Sequence, residues 1–132
     1  MQLIGEYYKE RVLSLNKKDR ATRELPYYDG DTKIEQDFFC WRLYAGKKYI
    51  ECRSEDETKY LGVFLEGGLS EIEVPVDDGY LHEILPQLLY LKRRHDEIIE
   101  DEIDLIPSRK IREAVKNKIW SNVLDLCFQE DL

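Results

Sequence analysis

Residues 37–76 read DFFCWRLYAGKKYIECRSEDETKYLGVFLEGGLSEIEVPV, and this stretch decides the fold. Its first half is rich in aromatic and β-branched residues on both sides of Ala45-Gly46, which predicts a β-hairpin. A two-residue loop would pair Cys40 with Glu51 and Trp41 with Ile50, and a one-residue slip would mix apolar and polar faces. The expected apolar face contains Phe39, Trp41, Leu43, Ile50 and Cys52, and the opposite face contains Phe38, Arg42, Tyr49, Glu51 and Arg53.

A helix and a strand follow the hairpin. Ser54 is the expected N-cap of the helix, and Glu57 three residues later completes a capping box. Gly67-Gly68 predicts a left-handed stop. The strand that follows contains Pro75, which indicates that this strand runs near a sheet edge. The helix should bury Tyr60, Leu61, Phe64 and Leu65, and the strand alternates Ile72, Val74 and Val76 with polar residues and proline.

The flanking segments complete a single α+β domain over residues 1–132, with a small, mainly antiparallel sheet within 1–76. Residues 2–15 have the apolar spacing of a short amphipathic helix. Residues 16–36 are the least regular part, with a short edge strand expected at 25–28. Within 77–132 an apolar seam predicts helices, which Pro86 breaks or kinks, so that a long helix begins near Pro86. Pro107-Ser108 ends that helix, and the short connection predicts a long antiparallel helical hairpin.

Charge and composition argue against several classes of function. The formal net charge is −8, from 20 Lys and Arg and 28 Asp and Glu, which disfavours sequence-independent nucleic-acid binding. No run approaches the roughly 20 apolar residues of a membrane span, and the first residues lack a secretory signal pattern. Three widely spaced cysteines and two histidines form no zinc-ligand spacing, so we expect a cytoplasmic protein without cofactor or metal.

One set of polar residues resembles the PD-(D/E)XK nucleases. The expected order of elements, α-β-β-β-α-β, matches the core of that family. Asp37, Glu51 and Arg53 stand roughly where the motif has its acids and base, and Glu6 or Glu10 could supply a helical acid. The resemblance implies Mg²⁺ held by carboxylates that activates water. Arg53 departs from the motif, because a guanidinium stays protonated and cannot act as a base. A metal-dependent nuclease is therefore the alternative function.

A second resemblance lies in residues 49–61, YIECRSEDETKYL. This phrase is similar to a strand-into-helix segment in the target-recognition regions of restriction–modification DNA methyltransferases. Thr58 stands where that phrase usually has alanine, and the chain has neither a cofactor glycine loop nor the methyltransferase catalytic motif. The resemblance implies a free-standing accessory or recognition protein.

Two further features concern contacts. Five aromatic residues could stack bases on an open sheet, although basic flanking residues are missing: Tyr27, Tyr28, Phe38, Tyr44 and Tyr49. The expected last helix is apolar on more than one side, and Trp is common in interface hot spots, so Ile119, Trp120 and Val123 are the candidate contact residues. His95 falls near the helical seam and is expected to be a core or solvent-edge histidine. We therefore favour a non-enzymatic protein-binding or accessory module, with a protein partner or a homo-oligomer formed through the C-terminal helices.

Overall fold

The computed structural model describes residues 2–28, 30–38 and 40–103, and their fold is α+β. The expected C-terminal helix after Pro107 and its contact residues Ile119, Trp120 and Val123 lie outside the described residues. The elements are α1 (Ile4–Tyr8, followed by a π-helical turn Lys9–Leu13), a 3-10 turn (Lys17–Asp19), β1 (Arg20–Glu24), β2 (Thr32–Gln36), β3 (Trp41–Ala45), β4 (Lys48–Cys52), α2 (Glu55–Glu66), β5 (Glu71–Pro75) and α3 (Asp78–Ile103).

The strands of the described residues form two antiparallel sheets, so the expectation of one sheet was wrong. One sheet has the order β2-β3-β4, and the other pairs β1 with β5. The edge position expected from Pro75 is confirmed, because among the described strands β5 pairs with β1 alone. No strand forms at 25–28; β1 ends at Glu24, and both β1 and β2 lie within the segment expected to be least regular. The sequence of β1 does not predict a strand, because its side chains are polar or small and show no apolar alternation.

The β3–β4 hairpin has a different register from the expected one. Trp41 lies opposite Cys52 instead of Ile50, and Gly46-Lys47 forms the turn. Gly46 has a φ of +63°, and a type II′ hairpin turn favours glycine at this first central position. The shift is two residues, so it leaves every side chain on its expected face. The expected apolar face is confirmed for the described residues Trp41, Leu43, Ile50 and Cys52, which are buried or half-buried.

Helix α2 has the expected cap at its start. The Glu57 N–H donates to Ser54 Oγ at 3.1 Å. In return, Glu57 Oε1 accepts from the Arg53 N–H at 3.3 Å, one residue further back than in the standard capping box. At the other end, Gly68 has a φ of +83° and its N–H donates to the Leu65 carbonyl at 2.9 Å. Both ends of the helix therefore follow from local sequence.

The core lies where α2 packs against α3 and against β3. The expected stripe of α2 is confirmed, since Tyr60, Leu61, Phe64 and Leu65 are all buried. Helix α1 adds Ile4, Tyr7 and Tyr8 to the same cluster. The expected seam of α3 is confirmed at Leu81, Ile84, Leu85, Leu88 and Leu91, whereas Ile98 is exposed.

Helix α3 runs without interruption through Pro86, so the predicted break was wrong. Its start is fixed by Asp77, whose Oδ1 accepts from the Tyr80 N–H at 2.9 Å. Pro86 lies on the exposed side of the helix, where water can hydrogen-bond the carbonyl that the proline ring leaves without a donor. Within residues 2–28, 30–38 and 40–103, no helix is both long enough and apolar enough to cross a membrane.

Two buried tyrosines complete the hydrogen bonding of β5. Glu73 lies opposite Thr22 of β1. Its N–H donates to Tyr8 Oη at 3.1 Å, and its carbonyl accepts from Tyr60 Oη at 2.6 Å. A backbone group of an edge strand that is buried without a partner would cost free energy. These hydroxyls therefore satisfy β5 at Glu73, and they attach it to α1 and α2.

Candidate functional site

The three-stranded sheet has one face toward the core and one face toward solvent. Side chains alternate along each strand, so the register defines an outer sheet face opposite to the buried Leu43. This outer sheet face consists of Lys33 and Glu35 on β2, Arg42 and Tyr44 on β3, and Tyr49 and Glu51 on β4.

Arg42 lies at the centre of the outer sheet face. Strand pairing places it opposite Glu35 on one side and Glu51 on the other. Its guanidinium is 3.2 Å from Asp37 Oδ2 and 5.1 Å from the centre of the Tyr49 ring, within the range of a cation–π contact. The Asp37 carboxylate and the Tyr49 ring thus contact this side chain, and Glu35 and Glu51 lie opposite it on the neighbouring strands.

The Tyr49 ring is the exposed aromatic group of this face. It is 48% exposed, and its ring centre is 5.2 Å from that of Tyr44. At the end of the face, an open depression of about 340 Å³ is lined by Asp31, Thr32, Lys33, Glu35, Tyr44 and Gly46. Its rim is charged: the Lys33 ammonium, 2.6 Å from Glu35 Oε1, lowers the pKa of the Glu35 carboxyl by hydrogen bonding and by its charge.

The loop between β2 and β3 adds an exposed aromatic residue beside this face. Asp37 Oδ1 accepts from the Cys40 N–H at 3.1 Å, and the Asp37 N–H donates to the Cys40 carbonyl at 3.1 Å. Phe38, which lies between them, is 97% exposed. The loop is therefore fixed by its own hydrogen bonds while its aromatic side chain faces solvent.

The nuclease-like residues do not converge on one site. Asp37 forms an ion pair with the Arg42 guanidinium at 3.2 Å, and Glu51 lies opposite Arg42 on β4, so both acids neighbour a cationic side chain. Arg53 is directed elsewhere: its guanidinium is 2.7 Å from Glu57 and 2.6 Å from Asp78. Of the two helical acids, Glu10 accepts from the Gln2 amide at 2.8 Å and Glu6 is exposed. Among the described residues, no group of three or more His, Cys, Asp or Glu side chains is arranged to hold a metal ion.

Glu57 is the charged side chain that is most completely buried in the described residues, at 1% exposure. Its carboxylate lies 2.7 Å from Arg53 and 3.6 Å from Arg23. Arg23, on β1, also donates to the Glu51 carbonyl on β4, so it connects the two sheets. The sequence indicated the capping role of Glu57, but it gave no sign that Arg23 would come to it.

Arg53 makes the second connection of this Glu57 network, which consists of Glu57, Arg23, Arg53 and Asp78. Besides Glu57, the Arg53 guanidinium binds Asp78 at the start of α3 and the Pro75 carbonyl of β5. Its N–H groups are therefore directed at partners within the fold. We interpret the Glu57 network as a structural connection between the two sheets and α3.

Cys52 lies next to this network and is buried. Burial, with a smaller contribution from the charge of Glu57, raises the pKa of its thiol to about 12. The thiolate is the nucleophilic form of cysteine, so Cys52 is not activated for chemistry at neutral pH.

His95 is a core histidine, which confirms one of the two expected environments. It lies on α3 and its Nε2 accepts from the Ile4 N–H at 3.3 Å, which connects α3 to the start of α1. This hydrogen bond requires an unprotonated Nε2. Burial lowers the pKa of His95 below its usual value, and the charge of Asp96 partly offsets the effect.

Stability is therefore expected to fall in mildly acidic solution. Below the ordinary histidine pKa of about 6.5, the unfolded chain binds a proton that folded His95 resists, so the free energy of unfolding decreases as the pH falls from about 7 to 5.5. Urea denaturation across this range measures the slope. His95→Gln should flatten it, whereas His82→Gln, which replaces an exposed histidine, should not. An unchanged slope in His95→Gln would contradict this assignment.

The segment that resembles methyltransferase recognition regions covers β4, its turn into α2 and the first half of α2. The residues that carry this resemblance have structural roles in the fold. Ser54 caps α2 and Glu57 belongs to the Glu57 network. The Tyr60 hydroxyl binds β5, and Leu61 is in the core. The chain matches no protein-family model, and neither its sequence nor its structure has a significant match among curated proteins or solved structures.

Proposed function

We propose that this protein is a non-enzymatic binding module that contacts a partner protein through its outer sheet face. The observation that carries this proposal is the exposed Tyr49 ring with the Arg42 guanidinium placed over it. Tyr and Arg are among the residues most enriched in interface hot spots. Both side chains are held on paired strands, so little conformational freedom is lost on binding.

Charge indicates the kind of partner. The chain carries a net charge of −8, and the carboxylates of Glu35, Asp37 and Glu51 surround Arg42. A partner surface rich in Lys and Arg would be steered over long distances toward a chain with this net charge. We further propose that the partner belongs to a DNA restriction–modification system, which is supported by the likeness of residues 49–61 to methyltransferase recognition segments.

The proposal is tested with Tyr49→Ala and purified candidate partners, beginning with proteins encoded by neighbouring genes. We expect Tyr49→Ala to weaken binding about tenfold in isothermal titration, because a hot-spot aromatic side chain is lost. Tyr90→Ala is the matched control, since Tyr90 is 45% exposed and has Arg93 over its ring at 5.8 Å, but it lies on α3. Equal affinities for the two variants would contradict the proposed contact surface.

Other results would favour the other interpretations. Loss of binding in Trp120→Asp, with Tyr49→Ala unaffected, would assign the contact to the C-terminal helix. Mg²⁺- or Mn²⁺-dependent DNA cleavage that disappears in Glu51→Gln would establish the nuclease alternative. Salt-sensitive binding of single-stranded nucleic acid that Tyr49→Ala abolishes would make the outer sheet face a base-stacking surface.

A further inference from the structure

Strand β2 has one unpaired edge in the described part of the chain. It pairs with β3 on one side, and no described strand lies on its other side. Four of its five residues are exposed, among them Ile34 at 42%. An exposed edge strand presents a row of free N–H and C=O groups that can pair with another strand. In contrast, β5 has its backbone at Glu73 bound by tyrosine hydroxyls.

The register identifies the backbone groups that point outward from β2. The Asp37 N–H donates to the Cys40 carbonyl, so residue 37 directs its backbone groups toward β3. Because these directions alternate along a strand, Glu35 and Lys33 also face β3. The N–H and C=O groups of Thr32, Ile34 and Gln36 therefore point away from the sheet.

We propose that β2 pairs antiparallel with β2 of a second copy of this chain, around a twofold axis at Ile34. This register places Thr32 opposite Gln36 and Ile34 opposite its own copy, so the outward backbone groups of both strands meet. It also places Lys33 of each copy opposite Glu35 of the other. Two three-stranded sheets would thereby become one six-stranded sheet.

The charges select this register among those that the backbone permits. Outward residues can also meet if the axis is moved to Lys33 or to Glu35. Either move places two like charges directly opposite each other, which is unfavourable in an antiparallel pair. The axis at Ile34 alone pairs opposite charges at both positions. The backbone pattern and the charge pattern of β2 thus agree on self-pairing.

The apolar side of β2 supports the same arrangement. Ile34 borders an open groove of about 210 Å³, lined in part by Leu43, Val63 and Leu89 from β3, α2 and α3. Ile34 of the second copy would lie beside Ile34 and extend this apolar lining. Pairing would thus remove exposed apolar surface from water. Because a five-residue edge is small for an interface, we expect association at high micromolar concentration.

Charge-reversal variants test the pairing by sedimentation velocity over a range of concentrations. Lys33→Glu and Glu35→Lys should each weaken self-association about tenfold, because both cross-copy pairs then join like charges. A mixture of the two variants should associate about as well as the wild type, since each pair then joins opposite charges. Lys48→Glu makes the same change in net charge as Lys33→Glu, at an exposed position of β4, and should have little effect.

Amide hydrogen exchange provides a second measurement that does not depend on charge. In the pair, exchange at Ile34 should slow as protein concentration rises, whereas exchange at Lys33, which faces β3, should not depend on concentration. A wild-type monomer at all concentrations, or a mixture that fails to restore association, would overturn the proposal. Slow exchange at Ile34 in a dilute monomer would also overturn it, because another part of the same chain would then cover the edge. None of these results depends on the partner of the outer sheet face.

Discussion

Glu57→Ala is expected to lower the free energy of unfolding by about 3 kcal/mol. The substitution removes a carboxylate that is buried and that lies 2.7 Å from Arg53 and 3.6 Å from Arg23. It also leaves the Arg53 N–H without its acceptor at the start of α2. The two guanidinium groups are about one-third exposed, so water can partly hydrate them in the variant. We therefore expect a loss of stability at the lower end of the range for breaking a buried ion pair.

Urea denaturation measures this loss, and two variants identify its cause. Glu57→Gln should lose less stability, because its amide oxygen can still accept from the Arg53 N–H. Glu55→Ala is the matched control: it removes a half-exposed carboxylate 3.0 Å from Lys59 in the same helical turn and should cost at most about 0.5 kcal/mol. If Glu57→Ala costs no more than Glu55→Ala, the Glu57 network does not hold the sheets together.

Tyr60→Phe is expected to cost about 2 kcal/mol, although it removes a single oxygen atom. The Tyr60 hydroxyl donates to the Glu73 carbonyl at 2.6 Å, and burial raises the pKa of this hydroxyl well above its usual value, so it remains a donor. Without it, the partly buried Glu73 carbonyl of β5 loses its donor, which costs more than the net value of an average hydrogen bond.

Tyr80→Phe is the appropriate control for this prediction. The Tyr80 hydroxyl also donates to a backbone carbonyl, that of Arg11, at 2.6 Å, but this bond is exposed and water can replace it. We expect a loss below about 1 kcal/mol for this variant, measured by thermal and urea denaturation. Equal losses in both variants would show that burial of the Glu73 carbonyl does not determine the cost.

Local signals in the sequence were enough to predict the elements between Trp41 and Pro75. The cap at Ser54, the glycine stop at Gly67-Gly68 and the buried face of α2 each depend on residues within a few positions of one another. The same holds for the faces of the hairpin, because side-chain alternation survives a shift of two residues. Local sequence therefore predicted burial correctly for these elements. It was a weaker guide to which residues lie opposite each other on paired strands.

Long-range pairing was the part that the sequence could not show. Strand β1 has no apolar alternation, and it is a strand because β5 pairs with it about fifty positions later in the chain. Arg23 reaches Glu57 through that same pairing. Pro86 suggested a break because the free-energy cost of proline inside a helix can be read from the sequence. The packing of the residues from Leu81 to Leu91, which keeps α3 continuous, cannot be read from it. The pairing of Arg42 with Glu51 across the hairpin likewise depended on the register and not on the alternation of side chains.

The pairing of β1 with β5 encloses a large loop of chain. The Leu25 N–H donates to the Ser70 carbonyl at 2.8 Å, so this hydrogen bond closes a loop of 45 positions, from 25 to 70, that includes β2, the hairpin and all of α2. The entropy of closing such a loop grows only with the logarithm of its length. Ten additional residues between β1 and β2 would cost only about 0.2 kcal/mol in closure entropy, so this connection can accept an inserted segment while the ladder that closes the loop stays intact.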